Sequence, residues 1–153
     1  MEKIIFRQAV LNDLPSVLDI TKRAYGIPYK ENTLVTSPHE PEDVKNKFIE
    51  KEFFIIVAES ENNIIGSVRY KFLSVNEAYL YNLAVLKEFR NKNIGPTLVS
   101  EVEKTAKEQN CKKLTLDCAQ EKGLSEYYEK LGFKIDEIKK HHDHHDVYMS
   151  KII

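Results

Sequence analysis

No stretch of this chain is long and apolar enough to cross a bilayer. The longest unbroken apolar run is Phe53 to Ala58, against about 20 residues for a spanning helix. An excess of one charge is also missing: 23 Lys+Arg stand against 24 Asp+Glu. A global field for nucleic acid or an anionic membrane is therefore excluded, neither partner is expected, and any anion site must be local. The opening MEKIIFRQAV lacks a basic segment followed by a long apolar core, so it does not read as a secretory signal, and the cytoplasm is the expected compartment. Cysteine is scarce. Cys111 and Cys118 flank a strand-like run, and their spacing points to free thiols. No Gly-Lys-Ser/Thr loop is present, which disfavours nucleotide triphosphate hydrolysis. Repeats and Pro/Gly/Ser-rich linkers are lacking too, so the 153 residues are expected to form a single domain over 1–153.

What is present has clear periodicity. KIIFRQAV (3–10) is strand-like. In the segment after it Asn12 or Asp13 can cap a helix, Pro15 suits the first turn, and Leu14, Val17, Leu18 and Tyr25 form a stripe ending toward Gly26. Residues 27–40 read as irregular, and Val44 and Phe48 suggest a second helix from Pro41 to Lys51. Two β-rich runs surround SENN, where Asn62 and Asn63 can take the positive φ of a tight hairpin turn. EAYLYNLAVL (77–86) is apolar on both parities, as in a strand covered on both faces.

Leu98, Val99, Val102 and Ala106 then make one helical stripe. KKLTLDC (112–118) alternates as a strand, and Leu124, Tyr127, Tyr128 and Leu131 mark a short helix that Gly132 can end in a left-handed conformation. FKIDEIKK and DVYMSKII read as closing strands. The order β-α-α-β-β-β-α-β-α-β-β implies an α/β fold with a mixed central sheet flanked by helices.

FRNKNIGPTLV (89–99) places Arg90, Lys92 and Gly95 between a strand and a helix N-terminus, where unpaired amides and the helix dipole favour an anion. A plain polar turn is the competing reading. LAVLKEFRNKNIGPTLV together with YYEKLGF resembles the GCN5-related N-acetyltransferase (GNAT) superfamily: a strand ending Leu-Ala-Val, an Arg/Gln-x-x-Gly-x-Gly/Ala loop and a Tyr-x-x-x-Gly-Phe segment. Element order matches that family over nearly the whole chain. The resemblance implies an acetyl-CoA-dependent N-acetyltransferase acting by direct attack of a primary amine of a small molecule, peptide or protein.

It further implies cosubstrate contacts at Leu83, Ala84 and Val85 on the strand and at Arg90, Asn91, Lys92, Asn93, Ile94, Gly95 and Pro96 in the loop. Tyr128 would donate a proton to the departing thiolate, with Tyr127 structural. Asn93 stands where the family has a glycine, yet tolerates left-handed φ. Pro96 lacks an N–H, so cosubstrate binding is expected to be weaker. The glutamate that many members use as a base is absent. Glu77, Tyr79, Tyr81 and Asn82 are the local candidates, and none is assigned.

The alternative from the same resemblance is a non-catalytic acyl-CoA-binding sensor or interaction module. Direct transfer suits the lack of a Cys/His pair, although Cys118 leaves a thiol route open. The family often forms dimers, so a homodimer is among the expected assemblies. Tyr29, Glu31 and His39 in the irregular segment are candidate acceptor contacts, with plain surface loop as the other reading. HHDHHD (141–146) offers metal-ligand atoms, but so short a run rarely surrounds an ion alone. No metal is expected, and the run reads as a solvated loop that can border the acceptor entrance.

Overall fold

The structure, a computed structural model, describes residues 3–25 and 41–153. The candidate contacts Tyr29, Glu31 and His39 lie outside the described residues. Seven strands form one sheet in the order β1-β2-β3-β4-β5-β7-β6. They are β1 (Ile4–Gln8), β2 (Phe54–Ser60), β3 (Asn63–Phe72), β4 (Glu77–Val85), β5 (Lys113–Ala119), β6 (Lys134–Lys140) and β7 (His145–Ile152). The helices are α1 (Leu14–Tyr25), α2 (Pro41–Ile49), α3 (Ile94–Glu108) and α4 (Ser125–Lys130). All strand pairs are antiparallel except β4 with β5. This is the mixed α/β sheet that the order of elements implied.

Each face of the sheet has its own apolar cluster. On one face α3 brings Ile94, Leu98, Val99, Val102 and Ala106 onto Ile56, Val68, Leu80 and Leu114. On the other, Leu14 and Val17 of α1 and Val44 of α2 cover Phe53, Ile55 and Val57. Helical periodicity thus picked the buried stripe of α3, while on α1 Leu14 and Val17 are buried, Leu18 is half-buried, and Ile20 and Thr21, which the stripe omitted, are buried as well. Cys111 and Cys118 are buried and unpaired, as expected.

The β2–β3 turn departs from expectation by one residue. Ser60 pairs with Asn63, and the positive φ angles fall on Glu61 (49°) and Asn62 (66°). Asn63 is already in the strand, its amide donating to the Glu61 carbonyl at 3.2 Å. The register is set by the covered faces: Ala58 opposes Gly66 while Glu59 opposes Ile64, so Ile65 is bulged and the turn moves with it.

Arg7 ties β1 to both neighbouring elements. Its guanidinium donates to Asp13 at 2.8 Å and to Glu59 at 2.7 Å. Asp13 also accepts the Val10 N–H at 2.7 Å, which fixes the turn leading into α1. These hydrogen bonds hold the Asp13 carboxyl below its usual range, the Arg7 contact most of all. A group so depressed stabilises the fold above its unfolded pKa and loses that contribution as pH falls through its folded value. Arg7→Ala should therefore cost about 2 kcal/mol in urea unfolding at pH 7, and the difference from wild type should shrink below about pH 4.

Candidate active site

β4 and β5 pair only at their beginnings. Glu77, Ala78 and Tyr79 lie opposite Lys113, Leu114 and Thr115, and there the ladder stops. The cause is visible in β4 itself. Ser67 opposes Ala84 and Arg69 opposes Tyr81, so Asn82 and Leu83 together face the single residue Val68. Asn82 takes a φ of 52° and is buried. A bulge with a left-handed residue bends its strand, and here it swings the end of β4 away from β5. The sequence carried a signal: one asparagine, tolerant of left-handed φ, within the run AYLYNLAV (78–85).

Beyond the bulge, two cavities meet. The larger, about 790 Å³, lies over the end of β4 and the start of α3. Leu83, Ala84, Val85, Arg90, Asn91, Asn93, Ile94, Gly95, Pro96 and Tyr128 all line it. The smaller lies in the gap between the strands, among Tyr79, Tyr81, Asn82, Asp117, Cys118, Asp146 and Tyr128. Tyr128 borders both, with Leu83, Lys122 and Leu124. Of the residues expected in the loop site, Lys92 alone is not on the cavity wall; its ammonium sits 5.4 Å from the centre of the Phe89 ring. Phe89 lines the cavity instead.

The loop owes its shape to asparagine. Asn91 and Asn93 both have φ of 64°, and Asn93 is the N-cap of α3. Its carbonyl accepts the Thr97 N–H at 3.2 Å and the Thr97 hydroxyl at 2.6 Å. The amides of Asn93, Ile94 and Gly95 precede the first intrahelical bond and stand at the positive end of the helix dipole. Pro96 occupies the next position and adds no donor. Arg90 folds back, its Nε donating to the Val85 carbonyl at 3.2 Å, so the loop is anchored to the strand end.

α4 ends in a Schellman arrangement, which explains the Tyr-x-x-x-Gly-Phe spacing. Phe133 N–H donates to the Tyr128 carbonyl at 3.1 Å and Gly132 N–H to the Glu129 carbonyl at 3.0 Å. Gly132 has φ of 99°, and the Phe133 ring meets Tyr128 edge-on at 5.9 Å. Phe133, five positions on, thus holds both the carbonyl and the ring of Tyr128. Tyr127, read from sequence as structural, also borders the larger cavity and packs edge-on against Tyr128 at 5.1 Å.

The candidates for a base separate. The Glu77 carboxylate accepts from Thr115 at 3.2 Å, in the paired part of β4. Tyr79 donates a short hydrogen bond to Asp117 and stacks on Tyr81 at 5.3 Å. Burial raises both phenols, so they are neutral near pH 7. The Cys118 thiol is pushed up to about 11, by burial first and then by Asp117 and Asp146. It is a poor nucleophile at neutral pH.

Gly95 has no room for a side chain: a Cβ there would lie 2.6 Å from the Tyr127 hydroxyl oxygen. Gly95→Ala should destabilise the fold by about 1–3 kcal/mol in urea unfolding. Adding Tyr127→Phe, which removes that oxygen, should recover most of the loss; no recovery would mean that the hydroxyl is not the obstacle.

Comparison with known proteins agrees with this geometry. Residues 14–133 match the model of the acetyltransferase (GNAT) family. An N-acetyltransferase of Chlorobaculum tepidum, itself uncharacterized, is 35% identical over 87 residues, covering 55% of this chain and 50% of that protein, so the match spans half of that relative's length. Spermidine N(1)-acetyltransferase of Thermoplasma acidophilum is 24% identical over 147 residues, 88% of this chain and 90% of the relative. Among solved structures, PaiA N-acetyltransferase of T. acidophilum in complex with coenzyme A superposes with a TM-score of 0.80 at 21% identity, over 99% of each chain. Ribosomal-protein-alanine N-acetyltransferase of Brucella melitensis gives 0.78 at 23% identity, over 97% of this chain and 99% of that one. A family model that runs through bulged strand, loop and tyrosine helix alike leaves one conclusion: the chain belongs to the GNAT acetyltransferase family.

Proposed function

We propose that this chain transfers an acetyl group from acetyl-CoA to a primary amine, and that the acceptor carries further positive charge. The observation that carries the reading is the meeting of two cavities at Tyr128, where β4 and β5 part. Acetyl-CoA, when bound, supplies an acetyl thioester. The residues suit such a group. Amides of Asn93, Ile94 and Gly95 and the cation of Arg90 match a pyrophosphate. Leu83, Ala84 and Val85 lie along the path from loop to gap and would hold the extended arm through their backbone.

On the other side, Asp117 and Asp146 border the gap with Tyr79 and Tyr81. The two carboxylates favour an alkylammonium over an anion, and the Tyr79 and Tyr81 rings already carry one ammonium, that of Lys71 at 5.7 and 5.8 Å. The relative acting on spermidine is consistent with that preference, without identifying the acceptor here. The attacking nitrogen must be neutral, and the Asp117–Tyr79 pair lies on its side of the gap to accept or relay a proton. Tyr128, held by its Schellman turn and lining both cavities, is in this reading the group that gives a proton to the leaving sulfur. The raised pKa of Cys118 supports direct attack over a thiol intermediate.

Calorimetric titration with acetyl-CoA is the primary test, and micromolar binding is expected; none at millimolar ligand would overturn the reading. Tyr128→Phe should lower kcat toward a cationic diamine by about 100-fold while leaving the acetyl-CoA Kd within about twofold. Equal turnover would remove Tyr128 from the chemistry.

Pro96→Ala should restore an amide donor and tighten acetyl-CoA binding by roughly 2- to 10-fold, the worth of one hydrogen bond. An unchanged Kd would show that no ligand oxygen faces that position.

A further inference from the structure

The histidine run lies outside the loop site, and its geometry departs from a solvated turn. His141 N–H donates to the His144 carbonyl at 2.7 Å, so these residues sit opposite each other across the tip of the β6–β7 hairpin. Opposed residues point to the same face, and so do residues two apart on one strand. His141, His144 and Asp146 therefore project together. His145 takes the other face, where its ring bonds Glu121 at 2.7 Å.

The three ligand atoms lie within 4.8 Å of one another. His141 Nε2 is 3.1 Å from one carboxylate oxygen of Asp146, and His144 Nε2 is 3.1 Å from the other. Donors about 2.0–2.1 Å from a tetrahedral ion are separated by about 3.3 Å, so the two histidine–aspartate spacings already suit an ion while the widest pair must draw together on binding. The second nitrogen of His144 adds an independent observation: Nδ1 is 2.7 Å from Asp143. A neutral imidazole that donates its one N–H to Asp143 turns the Nε2 lone pair toward Asp146, in position to hold a cation between them, whereas without an ion a protonated ring donating to both carboxylates makes the same two contacts. Carboxylate, histidine and metal in that sequence is also how a ligating imidazole is oriented.

We propose that His141, His144 and Asp146 bind a divalent transition-metal ion of the zinc class, with water completing the coordination and Asp143 orienting His144. Two imidazoles and a carboxylate suit such an ion and not calcium or magnesium. Half-exposed His141 at the tip leaves a path for the ion.

The test uses chelator-stripped full chain without a polyhistidine tag, titrated calorimetrically with zinc and followed by visible absorption with cobalt(II). One zinc per chain with a micromolar or lower Kd is expected, with d–d bands of tetrahedral intensity for cobalt. His141→Ala, His144→Ala and Asp146→Asn should each weaken zinc by at least about tenfold, and Asp143→Asn by about tenfold. His142→Ala and His145→Ala should leave it within about twofold. No saturable binding at 1 mM zinc, about the weakest affinity a specific site would show, would overturn the proposal. So would an equal loss in all four histidine variants, the signature of an unspecific histidine run. Acetyl-CoA titration of the same samples reads the loop site separately.

Discussion

The bulge at Asn82 is the constraint on which the site depends. Parallel strands that stayed paired would close the sheet between Leu80 and Leu116 and leave no space beside Tyr128. One left-handed residue opposite Val68 bends β4 and ends its ladder with β5 at Tyr79. The separation turns a continuous sheet into one with a cleft at its centre, floored by Asn82 and Leu83 and walled by Asp117 and Cys118. Interruption costs ladder hydrogen bonds, and the two apolar layers on either side of the sheet offset that cost.

Around this opening the chain repeatedly uses left-handed residues for position. Asn91 and Asn93 shape the loop, and Gly132 ends the tyrosine helix. Space is tight at Gly95 and Gly132, where a Cβ would lie under 3 Å from a side chain. Lys151 reaches past Gly132 to the Leu131 carbonyl at 2.9 Å and to Glu103 at 2.7 Å, joining β7, α4 and α3. A Cβ on Gly132 would meet the Lys151 chain at 2.9 Å. Asparagine suffices in the loop because there the requirement is a dihedral angle, not an absence of atoms.

The two carboxylates of the gap have different roles. Asp117 holds Tyr79, whereas Asp146 is shared between the gap and the hairpin tip, where it meets His141 and His144. An ion at the tip would lower the negative potential felt in the gap. The hairpin tip and the gap are thus electrostatically connected through one side chain.

Much of this was legible in one dimension. Helical and alternating periodicity identified the stripe of α3, part of that of α1, the buried parity of β5 and the order of elements, because burial repeats with the backbone period. The Leu-Ala-Val, loop and Tyr-x-x-x-Gly-Phe motifs marked the candidate residues, and all but Lys92 line one cavity. What local pattern did not reveal came from pairing between distant segments. The register of β3 moved the turn from Asn62–Asn63 to Glu61–Asn62, and the bulge opposite Val68 separated β4 from β5. Tyr127 met Gly95 across the cavity, and the hairpin register put His141, His144 and Asp146 on one face. Sequence determines these too, but through contacts across the sheet whose partners are not neighbours in the chain, and only the folded sheet says which residues those are.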